Sequence, residues 1–329
     1  MKKILVIQTA FLGDAILASS VLETIHSVDS TIKLAILVKH GNETIFDNHP
    51  FLHNVFIWKK QNKKYVNLFS LILKIRKEKY DVVINLQRFF SAGLITIFSN
   101  ATIKLGFKKN PLQVFFTKSF EHSLNNIHEI NRNGVFSKYL FGNNLIIKYP
   151  QLYPTEDNFN AIKIYQTKPY ICIAPNSVWF TKQLPGYKWI ELINELSPFN
   201  IYLIGGKSDY AYNQQIVQKS IHTSIINLSG KLTILETAAL MKNATLNYVN
   251  DSAPLHLASS TNANVVAVYC STIPEFGFSP LSSKQWIVQI KLPCKPCGLH
   301  GKKKCPLNHF NCANDITIKE LLIPLQSIK

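Results

Sequence analysis

The sequence predicts an α/β protein built from two parallel-sheet domains in tandem. Short apolar, β-rich segments alternate with helical segments in the first half of the chain, a polar Pro-containing stretch follows, and the same alternation then restarts. Strands separated by helices form parallel sheets that are covered on both faces. A chain of 329 residues is long enough for two such domains, each with its own core.

The first domain is predicted to span residues 1–150. Its strands are predicted at ILVIQ, IKLAILV, VFIW and YDVVINLQ, and its helices from Asp14, over VNLFSLILKIRKEK and after Arg88. A tight turn at Gly13 would join the first strand to the first helix. The chain start also has the outline of a signal peptide, but Gln8 and Asp14 interrupt its apolar run, so we expect this segment to be retained.

The second domain is predicted to span residues 169–314, after a polar linker at 151–168. Residues 315–329 form a final amphipathic run that needs a surface to pack on. Strands are predicted at YICIAP, NIYLIGG, SIINLSG, ATLNYVND and NVVAVYCS, and helices over 188–196, 210–219, TILETAALMKN and after Pro254.

The composition limits the possible partners. The net charge is +17 and the apolar content is 47%, so the chain is folded and is attracted to anionic partners. Only three of the 36 basic residues are arginine, which disfavours specific base recognition in nucleic acid. No stretch approaches the roughly 18 apolar residues of a membrane span.

Four of the six cysteines lie close together near the end of the chain: Cys294, Cys297, Cys305 and Cys312. Their C-x2-C-x7-C-x6-C spacing is compatible with a structural zinc site. The alternative is a reduced, Pro-stiffened loop that binds no metal. Because we expect no export, a disulfide framework is not predicted.

The residues that follow the strands carry the chemistry. Asp14 follows the first strand, Lys182 follows YICIAP, and Asp251 begins a turn into a helix whose free N–H groups suit a phosphate. Each has an ordinary structural alternative: Asp14 as a helix cap, Lys182 as a solvated side chain, His256 as a packed helix residue. Their matching positions in two domains favour a shared cleft lined by the carboxyl ends of both sheets.

These segments together resemble one family. ILVIQTAFLGDAILASSVLETI, APNSVWFTKQLPGYKWIEL, LSGKLTILETAALMKNATLNYVNDSAPLHLASS and the closing LPCKPC and CPLNHFNC are similar to the ADP-heptose:lipopolysaccharide heptosyltransferases, glycosyltransferase family 9. The Cys-rich tail and STIPEFGFSPL resemble the branch that adds the second heptose. The resemblance implies a GT-B fold, two Rossmann-like domains with the last helix crossing back onto the first, and an inverting transfer without a metal. In agreement, no two aspartates stand two apart, so the metal-binding D-x-D pair is missing.

The resemblance also implies residue roles. Asp14 would be the general base for the acceptor hydroxyl, and Lys182 would stabilise the departing diphosphate. Gly13 and Arg88 would contact the acceptor, while Met241 would flank the adenine and Ser208 or Asp209 would hold the ribose. The full predicted donor set is Ser177, Ser208, Met241, Asp251, Ser252, Ala253 and His256.

Three positions depart from the family pattern. The family usually has Lys or Arg at Gln8, Asp at Asn85 and Gly at Ala253. The expected partners are ADP-heptose and an anionic lipopolysaccharide core at the cytoplasmic face of the inner membrane, with no required cofactor and no nucleic acid. Two alternatives stay open: the same fold with another nucleotide sugar and glycolipid, and a Lys-rich zinc-knuckle nucleic-acid-binding protein.

Overall fold

The computed structural model describes residues 2–61, 63–124 and 126–328, and the chain divides into two compact units, Met1–Tyr153 and Pro154–Lys329. Each unit holds one six-stranded sheet in which the pairings are parallel. The predicted pair of Rossmann-like parallel-sheet domains is therefore confirmed.

The first unit contains the strands β1 (Lys3–Gln8), β2 (Lys33–Lys39), β3 (Leu52–Trp58), β4 (Val82–Asn85), β5 (Ile103–Phe107) and β6 (Lys118–Phe120). Its helices are α1 (Leu12–Val28), α2 (Lys64–Glu78), α3 (Phe90–Phe98) and α4 (Glu129–Phe141). The strand order is β3-β2-β1-β4-β5-β6. From β1 the chain first builds the sheet outward on one side, through β2 and β3, and then returns to build the other side from β4. The strand order therefore reverses between β1 and β4, and ligands bind at such switch points.

Helix α1 begins two residues earlier than predicted. Leu12, Gly13 and Asp14 form its first turn, and Phe11 precedes it in extended conformation. The predicted turn at Gly13 is therefore wrong, because the chain leaves β1 through Thr9–Phe11 and Gly13 is already helical. Asp14 still lies within the first turn, beside the positive end of the helix dipole.

The second unit contains the strands β7 (Tyr170–Ala174), β8 (Asn200–Leu203), β9 (Ile225–Asn227), β10 (Leu246–Asn250), β11 (Val265–Tyr269) and β12 (Gln285–Gln289). Its helices are α5 (Glu156–Ile162), α6 (Gly186–Asn194), α7 (Tyr210–Lys219), α8 (Ile234–Asn243), α9 (Ala253–Ser260), α10 (Asn311–Asn314) and α11 (Ile318–Gln326). The strand order is β12-β11-β10-β7-β8-β9, so β7 and β10 flank the switch point. This order repeats that of the first unit.

Two segments differ from the predictions. The stretch predicted as a linker contains α5, which starts with a Thr155–Asn158 capping box and packs on α8. The last helix, expected on the first domain, packs on α6 and β12 of the second unit. Leu321 is fully buried in that core, and the Tyr248 hydroxyl donates a hydrogen bond to its carbonyl at 2.9 Å, which fixes α11 there.

Candidate active site

In the second unit, a lysine and an aspartate meet at the switch point. Lys182 ends a 3₁₀ turn that follows β7, and Asp251 directly follows β10. The Lys182 Nζ lies 2.7 Å from Oδ2 of Asp251, and the Thr272 hydroxyl donates to the same oxygen at 2.6 Å. Both charged side chains are mostly buried. The ammonium is thus held beside the strand ends by a carboxylate that has a second donor.

Asn250 holds the two loops together. Its side-chain amide donates to the Pro175 carbonyl at 2.7 Å, and its Oδ1 accepts from the Leu184 backbone N–H at 2.9 Å. Asn250 is completely buried, so its side-chain amide has no access to water, and these two bonds satisfy its polar atoms instead. The loop that carries Lys182 is therefore tied at both ends to the last residue of β10.

Helix α9 starts at this same point. Ser252 is its N-cap residue in extended conformation, and Ala253 is its first residue. Ala253 is helical, so the backbone here needs no glycine, and the departure from the family pattern is accommodated. The first N–H groups of an α-helix lack intrahelical acceptors and favour anions. Pro254, the second residue of α9, has no N–H, and the Leu255 N–H donates to the Ser252 carbonyl at 3.0 Å. The Ala253 N–H and the neighbouring Lys182 are therefore the donors at this helix start that suit a phosphate group.

The Cys-rich tail packs against the Lys182 loop. The Thr181 N–H donates to the Lys302 carbonyl at 3.1 Å, and the Lys302 N–H donates to the Thr181 hydroxyl at 2.7 Å. Gly301 lies so close to Lys182 that an added Cβ would sit 2.7 Å from its Cγ. The tail thus forms one wall around the stem of Lys182. No pattern in the sequence predicted this role for Gly301.

The cysteines of the tail do not form a ligand set as placed. Cys294 Sγ lies 3.9 Å from Nε2 of His309, while Cys312 is buried in the core, where burial raises the pKa of its thiol to about 11. Burial also raises the pKa of Cys297. Across the described ranges, no three His, Cys, Asp or Glu side chains are arranged to hold a metal ion. The zinc site stays a prediction.

In the first unit, Asp14 in the first turn of α1 and Arg88 in the loop after β4 both lie at the carboxyl end of the sheet. Asp14 follows β1 and Arg88 follows β4, which pair directly. Side-chain amides connect the two loops: Gln87 Nε2 donates to Gln8 Oε1, which also accepts from the Ala10 N–H at 3.3 Å. A neutral amide pair therefore occupies the position where the family usually has a cation.

Asn85 shapes the second of these loops. It is fully buried, and its Oδ1 accepts from the Gln87 N–H at 2.8 Å. Arg88 is exposed, with its guanidinium 5.4 Å from the centre of the Phe89 ring. The loop thus presents a cation stacked on an aromatic ring, next to the loop that leads to Asp14.

A basic pocket of about 460 Å³ lies beside the Thr9–Phe11 loop. Lys60 donates to the Thr9 carbonyl at 2.6 Å, and Lys39 Nζ lies 5.8 Å from the centre of the Phe11 ring. Burial, followed by the charges of Lys39 and Lys64, lowers the pKa of Lys60. The pocket is lined by Lys39, His40, Lys59, Lys60, Gln61, Lys63 and Asn67. Lys59, Lys60 and Lys63 are close together in the sequence, whereas Lys39 is the last residue of β2.

The other predicted donor residues are dispersed over the second unit. Ser177 lies in the loop after β7, where its carbonyl accepts from Gln183 at 2.5 Å, and Ser208 is exposed after β8. His256 is buried within α9, with its ring 6.2 Å from that of Phe278. Met241 is fully buried on the sheet-facing side of α8, so the prediction that it flanks the adenine is wrong for this structure.

Comparisons with known proteins identify the family of the chain. The family model described as glycosyltransferase family 9 (heptosyltransferase) matches residues 68–309. Lipopolysaccharide heptosyltransferase 1 of Campylobacter coli is 26% identical over 291 residues, which cover 82% of this chain and 84% of that protein. Lipopolysaccharide heptosyltransferase 3 of Escherichia coli is 25% identical over 281 residues, with 80% and 82% covered.

A solved structure extends the likeness to the whole fold. The E. coli ADP-heptose lps heptosyltransferase II superposes with a TM-score of 0.84 at 18% identity, covering 100% of this chain and 98% of that one. Proteins named for heptosyltransferases 1, 2 and 3 all resemble the chain, so these comparisons show the family; the resemblance to the branch that adds the second heptose stays a prediction. The family match covers most of the chain, including Lys182 and Asp251; the protein belongs to glycosyltransferase family 9, the heptosyltransferases, and is a glycosyltransferase.

Proposed function

We propose that this enzyme transfers a heptose from ADP-heptose to an acceptor in the inner core of lipopolysaccharide, at the cytoplasmic face of the inner membrane. Family membership supports heptosyl transfer, and the names of the relatives support a lipopolysaccharide acceptor. The structural observation that carries the proposal is the Lys182–Asp251 pair beside the start of α9. It is an anion-binding arrangement on the unit to which we assign the nucleotide.

Donor binding follows from this pair. The diphosphate accepts a hydrogen bond from the Ala253 N–H at the start of α9, where Pro254 supplies no N–H, and Lys182 contributes a full positive charge. When the bond between the sugar C1 and the diphosphate oxygen breaks, negative charge grows on that oxygen. An ammonium held in a mostly buried position stabilises this charge more than one in water. We propose that Lys182 thereby takes the role that a divalent metal has in D-x-D glycosyltransferases.

Acceptor activation falls to Asp14. Its carboxylate takes the proton of the acceptor hydroxyl as that oxygen attacks C1 from the face opposite the diphosphate, so the configuration at C1 inverts. The lysine pocket and Arg88 provide positive charge on the same unit as Asp14. Acidic sugars and phosphates, which are the charged groups of an anionic glycolipid core, are the groups this charge would bind.

The test combines a base variant with a donor screen. Purified enzyme is assayed with ADP-heptose, UDP-sugars and GDP-sugars, with and without EDTA, and the product anomer is determined by NMR. We expect transfer from ADP-heptose alone, unaffected by EDTA and inverted. Asp14→Asn should abolish transfer, while Asp29→Asn at the other end of α1 should not. Full activity of the Asp14→Asn enzyme would remove Asp14 as the base, and transfer from a UDP-sugar would favour the second nucleotide-sugar alternative. The nucleic-acid alternative finds no support in the comparisons.

A further inference from the structure

An apolar surface lies on the first unit where α2 and α3 pack side by side. Tyr65, Phe69 and Leu73 of α2 are 77%, 64% and 45% exposed, and Phe98 of α3 is 49% exposed. Between them lies a groove of about 300 Å³, lined by Tyr65, Leu68, Phe69, Ile72, Leu73, Arg76, Leu94 and Phe98. We call Tyr65, Val66, Phe69, Leu73 and Phe98 the α2–α3 face. Exposed apolar groups gathered in this way mark an interaction site.

The apolar side chains of the α2–α3 face are separate from those that pack α2 on the core. At 100° per residue, the buried Leu68, Leu71 and Ile75 form one stripe of α2 that faces the sheet. Tyr65, Phe69 and Leu73 form a second stripe, centred about 120° from the first, so it lies on the side of α2 and does not face the sheet. A helix that only covers a sheet needs the first stripe and is polar on the rest of its surface.

The charges around the α2–α3 face are predominantly positive. Residues 59–90 contain nine Lys or Arg and two acidic residues, Glu78 and Asp81. Both carboxylates are engaged: Glu78 lies 3.3 Å from Lys3 Nζ, and Asp81 accepts from the N–H groups of Lys2 and Lys3. The sequence of α3 contains no charged residue. An exposed apolar strip beside exposed lysines on one unit complements an anionic, partly apolar partner.

We propose that the α2–α3 face docks on the surface of an anionic phospholipid bilayer. The apolar side chains enter the boundary between head groups and acyl chains, and Lys74, Arg76 and Lys77 meet the lipid phosphates. Tyr65 is suited to this depth because its ring is apolar and its hydroxyl is polar. In the part of the chain that the structure describes, no helix is long and apolar enough to cross a bilayer. The benefit of this contact, which is access to a lipid-linked acceptor, rests on the proposed function, whereas the contact itself does not.

The primary test measures binding of the full chain to vesicles by co-sedimentation. We expect binding to vesicles of phosphatidylglycerol and phosphatidylethanolamine, weak binding to phosphatidylcholine, and loss of binding at high salt. Phe69→Ser combined with Leu73→Ser should weaken binding by about ten-fold or more. Ile221→Ser is the control, because Ile221 is 81% exposed on the second unit. Equal binding to both lipid compositions, or equal loss in the control, would overturn the proposal.

Two further measurements separate the alternatives. With a lipid-free acceptor fragment, the Phe69→Ser, Leu73→Ser enzyme should keep its transfer rate, whereas with acceptor embedded in anionic vesicles its rate should fall. Loss of both rates would place the two residues in catalysis and contradict the proposal. Sedimentation velocity reports a second possible occupant: a wild-type dimer that the double variant converts to monomer would show that the face binds another copy of the chain instead. If heptosyl transfer itself were refuted, vesicle binding would still be measurable.

Discussion

Lys182 and Asp251 form an ion pair 2.7 Å long across the ends of β7 and β10, two strands that are neighbours in the sheet but whose residues are far apart in sequence. Asp251 holds the ammonium of Lys182 in place, and the same carboxylate oxygen also accepts a hydrogen bond from the Thr272 hydroxyl. In the donor complex that we propose, the diphosphate would bring negative charge close to Asp251, so Lys182 would interact with both anions during the reaction.

Lys182→Met is expected to lower kcat for sugar transfer by about 100-fold or more, since it removes the charge that stabilises the leaving diphosphate. Steady-state kinetics with varied donor measure the effect. Lys182→Arg keeps the ion pair and separates the loss of charge from a loss of stability. Lys219→Met, at the exposed end of α7, is the control. A change in KM alone would mean that Lys182 binds the ground state and the transition state equally, which would contradict a specific role in leaving-group stabilisation.

Gly301→Ala is expected to lower kcat because the new methyl group would displace the stem of Lys182. Gly301 also has a φ of +46°, which disfavours any Cβ, so part of the effect is a backbone cost of about 1 kcal/mol. Gly298→Ala in the same tail isolates that cost, since Gly298 has a φ of +137° and nothing within 4 Å of the added Cβ. Thermal unfolding and kcat are measured for both. Equal loss of kcat in the two variants would argue against positioning of Lys182 by Gly301.

Lys39→Gln is expected to raise KM for the acceptor by about ten-fold while leaving KM for the donor unchanged. The reason is that Lys39 lines the basic pocket beside the Thr9–Phe11 loop, which leads to Asp14. The same strand supplies the control. Lys33 is exposed at the opposite end of β2, so Lys33→Gln should leave both constants unaltered. A matching rise in KM for both variants would indicate a general effect of net charge and no specific site.

Glu23 should make folding stability depend on pH. Burial raises the pKa of its carboxyl from 4.5 to about 7, although the Tyr153 hydroxyl donates to it and acts in the opposite direction. The folded state then binds the proton more tightly than the unfolded chain does, so this stability is complete below 4.5 and is lost as pH rises to about 7. Glu23→Gln should therefore stabilise the fold at about pH 8 and have little effect near pH 4.5.

His49 should make folding stability depend on pH in the opposite direction, over the lower part of this range. Burial lowers the pKa of its ring from 6.5 to about 4, so its contribution to stability is lost as pH falls below 6.5. In Glu23→Gln the His49 effect should appear alone, as stability that rises with pH from about 4 to 6.5. Urea unfolding across this range measures both effects, with Glu195→Gln as an exposed-carboxylate control. A Glu23→Gln curve parallel to that of the wild type would show that Glu23 is not protonated at neutral pH.

The sequence predicted the sheets well where strands are buried on both faces. β1, β4, β7 and β11 are short apolar segments, and their positions were predicted within two or three residues. No element was predicted at β5, β6, β12 or α4. β6 has three residues, and α4 buries Glu129, Arg132, Asn133 and Ser137, so polar residues interrupt the stripe that would identify a core-facing helix.

The candidate site was predictable to the extent that it lies at strand ends. Asp14, Lys182 and Asp251 were found because parallel strands end at one edge of a sheet, where ligands bind. Met241 was misplaced because a residue type cannot tell which side of α8 faces the sheet. Thr272 and Gly301 were missed because their partners are distant in the chain; Lys302 and Thr181, which connect the tail to the Lys182 loop, are separated by 121 residues.

The contact between the tail and the Lys182 loop has a consequence for biosynthesis. The ribosome completes the first unit and all six strands of the second before it reaches Gly301 and Lys302. Domains generally fold as units from the N-terminus during synthesis, so the wall around Lys182 is among the last parts of the molecule to form. A nascent chain of this enzyme therefore folds its sheets before the tail packs against Lys182, so we expect the proposed donor site to be completed only when translation is nearly finished.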